Sequence, residues 1–191
     1  MTISKTIILN SDAGIRVGGV TDQSDITSKS AVDTATVTGR LYDKKKIRKL
    51  TAQTVGNDGP VNNTLVAVSS VESYVDGEPL ELRLDNGDLH ETTIVSRDSD
   101  TDVITMAAAV PAGRTADIGT FAKRKLGVDI SMTLYGATPV PSVDTWGYSG
   151  PVADTHEGLH LGKKVQCEVT IDDGAGRKRV VTFDAVVIQG Q

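Results

Sequence analysis

From Thr34 to Tyr42 the chain alternates strictly, with Ala35, Val37, Gly39 and Leu41 on one side and Thr34, Thr36, Thr38 and Arg40 on the other. A period of two with threonine on the wet side is the pattern of a half-buried strand. Residues 64–68 offer a second short strand. Alternation resumes over residues 80–84, Asp85-Asn86-Gly87-Asp88 interrupts it, and residues 89–96 read as the return. Asn-Gly suits a tight hairpin because both central residues accept positive φ. Arg97-Asp98-Ser99-Asp100 predicts the next turn and residues 103–106 the next strand. Val110-Pro111-Ala112-Gly113 breaks the pattern, and residues 119–125 close it. Four short strands within residues 71–126 predict a compact barrel-like module.

A second hairpin is expected at the other end. Val165, Cys167, Val169 and Ile171 share one face, Asp172-Asp173-Gly174-Ala175-Gly176 turns the chain, and residues 180–188 return. Two stretches resist the strand pattern: the polar residues 24–33, and residues 136–162, which hold Pro139, Pro141, Trp146, Tyr148 and Pro151. A long irregular segment inside a compact domain tends to be functional or to dock on a partner. No segment combines a helical period with caps. The expected fold is therefore all-β: a β-sandwich from residues 1–70 and 127–191, the latter carrying the long loop 136–162, with the small barrel-like module 71–126 inserted between them.

Composition sharpens this picture in three ways. Of 191 residues, one is tryptophan, two are phenylalanine and four are tyrosine, so the core has to be built from Val, Ile, Leu and Ala, with burial against neighbouring subunits a natural supplement. Cys167 is the single cysteine, which excludes an intrachain disulfide and fits folding in a reducing compartment. No apolar run approaches the roughly 18–20 residues of a membrane helix, and Met1-Thr2-Ile3-Ser4-Lys5 lacks the pattern of a secretory leader, so neither a membrane nor secretion is expected. The net charge is −5, and the basic runs Lys44-Lys45-Lys46-Ile47-Arg48-Lys49 and Lys123-Arg124-Lys125 lack interleaved aromatics, so they read as solvated strand ends.

Candidate chemistry is sparse. His156 and His160 stand four apart, but Gly158 and Gly162 interleave them and no helix is expected to align them on a metal. Asp98, Asp100 and Asp102 alternate like the opening of a calcium loop, yet Val103 and Ala109 occupy the positions where an EF-hand needs glycine and glutamate. They are equally well explained as turn residues that satisfy local backbone donors. Nucleophile and phosphate-binding motifs are absent, and Cys167 lies in register with valines, as a small buried hydrophobe would. The expectation is no enzyme, no cofactor and no metal.

The stretch from Tyr74-Val75-Asp76-Gly77 to Lys125 resembles a short β-module of tailed-bacteriophage virion proteins. The resemblance is carried by Leu82-Arg83-Leu84-Asp85-Asn86-Gly87, Thr92-Thr93-Ile94-Val95-Ser96, Asp102-Val103-Ile104-Thr105, Val110-Pro111-Ala112-Gly113 and Gly119. It covers a quarter to a third of the chain, and residues 33–43 resemble β-sandwich segments of phage structural proteins as well. The resemblance implies a virion component, synthesised in the host cytoplasm, at the head–tail neck (adaptor, stopper or collar) or in the tail. It also implies partners: copies of itself in a ring, other phage head, neck or tail proteins, and passive contact with packaged DNA. Trp146 and Tyr148 are the expected partner-docking anchors. A capsid decoration protein is the nearest alternative, and a glycan-binding β-module built on Trp146 and Tyr148 is an alternative of a different class.

Overall fold

The computed structural model describes residues 6–18, 35–56, 63–135, 147–153, 155–172 and 178–189. Every regular element among them is a strand. In chain order these are β1 (Thr6–Leu9), β2 (Ser11–Gly18), β3 (Thr36–Lys49), β4 (Thr54–Val55), β5 (Leu65–Ala67), β6 (Pro79–Arg83), β7 (Leu89–Asp98), β8 (Val103–Met106), β9 (Thr115–Ala116), β10 (Phe121–Tyr135), β11 (Gly147–Val152), β12 (Lys164–Asp172) and β13 (Lys178–Gln189). The fold is all-β.

The chain divides into two compact units, Met1–Leu41 with Leu126–Gln191, and Tyr42–Lys125. Sequence had put the first boundary at residue 70. The division falls instead inside β3, because the strand runs on past Tyr42 through the basic run to Lys49, and one uninterrupted strand serves both units.

In the first unit the order β1-β13-β12-β3 runs along one arm of the sheet, while β10, β11 and β2 pair in succession along the other. Both arms contribute to one core. Val37 and Leu41 from β3 meet Val165, Cys167, Val169 and Ile171 from β12, with Ile15, Val17, Ile130, Met132 and Tyr148 from the other arm. β3 and β10 are neighbours in the sheet, and at Gly39 a Cβ would stand 3.3 Å from the Met132 sulfur. β12–β13, β10–β11 and β11–β2 pair antiparallel, whereas β1 lies parallel to β13 with Thr6 beside Val186 and Leu9 beside Gln189. Gly127 takes φ +60°, and the His156 ring covers it: a Cβ there would fall 2.5 Å from Nε2, which donates to the Leu126 carbonyl at 2.8 Å.

The second unit is a curled sheet. β10, β6, β7, β8 and β5 follow one another, and the expected hairpin joins β6 to β7, with Leu82 opposite His90 and Gly87 at φ +85° in the turn. Asn86 Oδ1 accepts the Asp88 amide, the side-chain turn that the sequence signals. Its core is Leu50, Val66, Val68, Val71, Tyr74, Leu80, Leu82, Ile94, Ile104, Met106 and their neighbours. The seam back to β3 is one bridge, Leu50 to Val68, flanked by Thr51 N–H to Ala67 O and Ser69 N–H to Lys49 O. This is a barrel-like curl stitched at a point, not a closed barrel.

Leu82 is fully buried, whereas Val128 is 73% exposed. Leu82→Ala is expected to lower the unfolding free energy by about 2–5 kcal/mol through lost transfer energy and the cavity left behind. Val128→Ala should change it by less than about 0.5 kcal/mol. Urea denaturation followed by circular dichroism checks both.

Candidate partner-docking surfaces

The expected anchors come out differently. Trp146 lies outside the described residues. Tyr148 does not lie on a loop: Gly147–Val152 is the strand β11, with Tyr148 opposite Leu134 of β10 and Val17 of β2. The Tyr148 side chain is only 2% exposed and belongs to the core of its unit, so it is not a surface anchor. Prolines mislead here, because Pro151 sits where the β11–β2 register shifts between Gly150 and Val152, a place where a strand tolerates the missing N–H.

The histidines do not converge. His156 is half-buried over Gly127, while His160 is exposed and its Nδ1 contacts the Leu161 carbonyl. Asp98 caps its own turn, accepting from the Thr101 hydroxyl at 2.7 Å and the Asp100 amide at 2.9 Å, and these bonds hold its carboxyl below the usual range. Asp102 takes φ +54° and accepts the Val71 amide. Among the described residues no group of three or more His, Cys, Asp or Glu side chains is placed to hold a metal ion.

Both basic runs lie within strands, and part of their charge is matched across the sheet. Glu78 receives Lys46 Nζ at 2.5 and 2.7 Å and Arg124 Nε at 3.1 Å, and Arg124 also reaches Asp43 at 3.6 Å. Lys125 pairs with Glu91 at 2.9 Å. Lys123 stands directly opposite Glu81, and its Nζ lies 4.6 Å from the centre of the Tyr42 ring, whose hydroxyl donates to Glu81. Glu81 is only 3% exposed, so its charge depends on these neighbours. A recess of about 300 Å³ opens beside it, lined by Glu81, Arg83, Leu89, Phe121 and Lys123 among others. The exposed Phe121 and the flanking cations make this a place to seat a side chain of another molecule.

The second surface is a strand edge in the first unit. β12 pairs with β13 along its whole length, from Lys164–Val186 to Asp172–Lys178. On its other side β13 meets only β1, and only from Val186 onward. Among the described residues, 178–185 therefore has no strand on its outer side. The wet face of β13 also carries exposed Val180, Val186 and Ile188. Sequence foretold this hairpin.

The chain matches no protein-family model, and comparison with curated proteins and with solved structures gives no significant match.

Two outcomes follow from the buried groups. Replacing Glu81 by Leu should cost about 1–3 kcal/mol, the penalty for leaving the buried Tyr42 hydroxyl without its acceptor, and adding Tyr42→Phe should recover part of it; paired denaturation curves test this. Burial, with Glu168 adding, pushes the Cys167 thiol from an ordinary value near 9 up to about 12, and burial raises Tyr74 as well. The folded state thus holds these protons more tightly than the unfolded chain. Stability present below pH 9 should fall as pH rises from 9 to 12, and Cys167→Ala should flatten that fall.

Proposed function

We propose that the chain is a structural component of a tailed-phage virion, a neck or connector subunit (adaptor, stopper or collar) or a tail subunit that assembles as a ring. One observation supports an assembly role above the others: the outer edge of β13, where among the described residues no strand pairs over 178–185 and exposed valines line the wet face. Such an edge is a template for strand addition, and soluble proteins ordinarily cover or blunt it. The virion class comes from the resemblance over residues 74–125, a stretch that lies within the compact unit Tyr42–Lys125. Rings are built from head-to-tail contacts that close by rotation, and the Phe121 recess supplies a second docking point of the kind such contacts use. The glycan-binding alternative loses support because Tyr148, half of its aromatic platform, is in the core.

Gold-labelled antibody against the chain, applied to purified particles from the source lysate, tests the reading. Label at one point between head and tail is expected for a neck subunit, and label along the tail or at its end for a tail subunit. Label spread over the head would make the chain a decoration protein. Absence of the chain from disrupted particles would overturn the virion reading.

A further inference from the structure

The turn between β6 and β7 carries a pair of residues with a chemistry of its own. Asn86 is the only asparagine of the chain that glycine follows; Asn10, Asn57, Asn62 and Asn63 precede Ser11, Asp58, Asn63 and Thr64. An asparagine amide is thermally labile. The next residue sets its rate, because that residue's backbone nitrogen is the attacking group and a side chain beside it blocks the approach. Residues 85–88 are all exposed, and a Cβ at Gly87 would meet nothing within 4 Å, so the Gly87 nitrogen stands in open space.

We infer that Asn86 is a site of spontaneous modification, at which the Gly87 nitrogen displaces ammonia from the Asn86 side chain and water opens the resulting ring to isoaspartate or aspartate. The Gly87 nitrogen loses its proton to solvent base and bonds to Asn86 Cγ, the Cγ–Nδ2 bond breaks, and the amide nitrogen leaves as ammonia. Water then adds to one of the two ring carbonyls. Opening at Cγ gives aspartate. Opening at the Asn86 backbone carbonyl gives isoaspartate, in which the main chain runs through Cβ and Cγ. Water is the only co-reactant.

The turn both helps and hinders this step. Asn86 Oδ1 accepts the Asp88 amide at 3.1 Å, a bond that lays the side chain over the backbone of the turn and draws electron density from Cγ. Nδ2 donates to Asp88 Oδ2 at 2.6 Å and holds the amide in that orientation. Against it, the Gly87 N–H donates to the Leu84 carbonyl at 2.9 Å and has to let go first. That bond closes the tip of an exposed hairpin, where local opening costs far less than global unfolding.

Either product adds a negative charge between Asp85 and Asp88. Isoaspartate also lengthens the main chain inside a turn whose closing pair is Arg83 opposite Leu89. Arg83 Nη1 donates to the Gly87 carbonyl at 3.0 Å and also lines the recess beside Phe121, so the change reaches a candidate docking surface. The chemistry itself is independent of the virion reading. It needs only water and time, and it marks the age of each copy whatever that copy assembles with.

Full-length chain kept warm at mildly alkaline pH and digested at intervals tests the site. Peptides spanning Asn86 should turn from amide to acid before those spanning the other asparagines, with isoaspartate identified as the main product by electron-transfer fragmentation. The Leu84 and Gly87 amides should exchange faster in aged than in fresh chain, since both bonds belong to the turn. Gly87→Asp keeps a residue type that tolerates positive φ but shields its nitrogen, and should react about tenfold more slowly. Circular dichroism confirms that the variant is folded. Asn86 left intact after another asparagine has reacted, aspartate formed without isoaspartate, or Gly87→Asp reacting as fast as the parent chain overturns the proposal.

Discussion

A sheet satisfies its backbone only sideways, so every strand needs two neighbours and each sheet ends with two edges that have one. That constraint governs both units. In Tyr42–Lys125 the strands curl until β5 returns to the end of β3, and a single bridge with two flanking hydrogen bonds covers the seam. In the other unit β1 covers β13 from Val186 onward, and among the described residues no strand lies outside 178–185. An exposed, regular edge with valines on its wet face is a liability for a protein that stays alone and an asset for one that joins copies.

The second constraint is the shortage of aromatic side chains. Three of the four tyrosines, Tyr42, Tyr74 and Tyr148, are the largest fully or almost fully buried side chains. Burying a phenol obliges the sheet to supply an acceptor. Tyr74 finds the Ala122 carbonyl at 2.8 Å, and Tyr42 finds Glu81. Lys123 stands opposite Glu81 on β10, with its Nζ over the Tyr42 ring. A small aromatic inventory thus propagates into a buried carboxylate and a charged strand. Lys123-Arg124-Lys125 is fixed by neighbouring acids, which leaves little of it for a phosphate backbone.

Much of this was legible in the chain. Turn chemistry at Asp85-Asn86-Gly87-Asp88 and alternation at Val165, Cys167, Val169 and Ile171 are local signals, and both hairpins stand where they point. Two features escaped because their causes are not local. Lysines at 44–49 look like a solvated end until Glu78, some thirty residues away in sequence, is brought beside Lys46. β11 hides among prolines and glycines, and one of its two ladder partners, β2, lies near the other end of the chain. Tyr148 was read as an interface anchor for the same reason: nothing in its own neighbourhood announces a core position.

The surfaces left for partners differ in kind. The Phe121 recess is a shallow, mixed-charge concavity that accepts a side chain of some neighbour without specifying which. The wet face of β13 differs: exposed Val180, Val186 and Ile188 form an apolar strip that asks to be covered rather than a recess that receives.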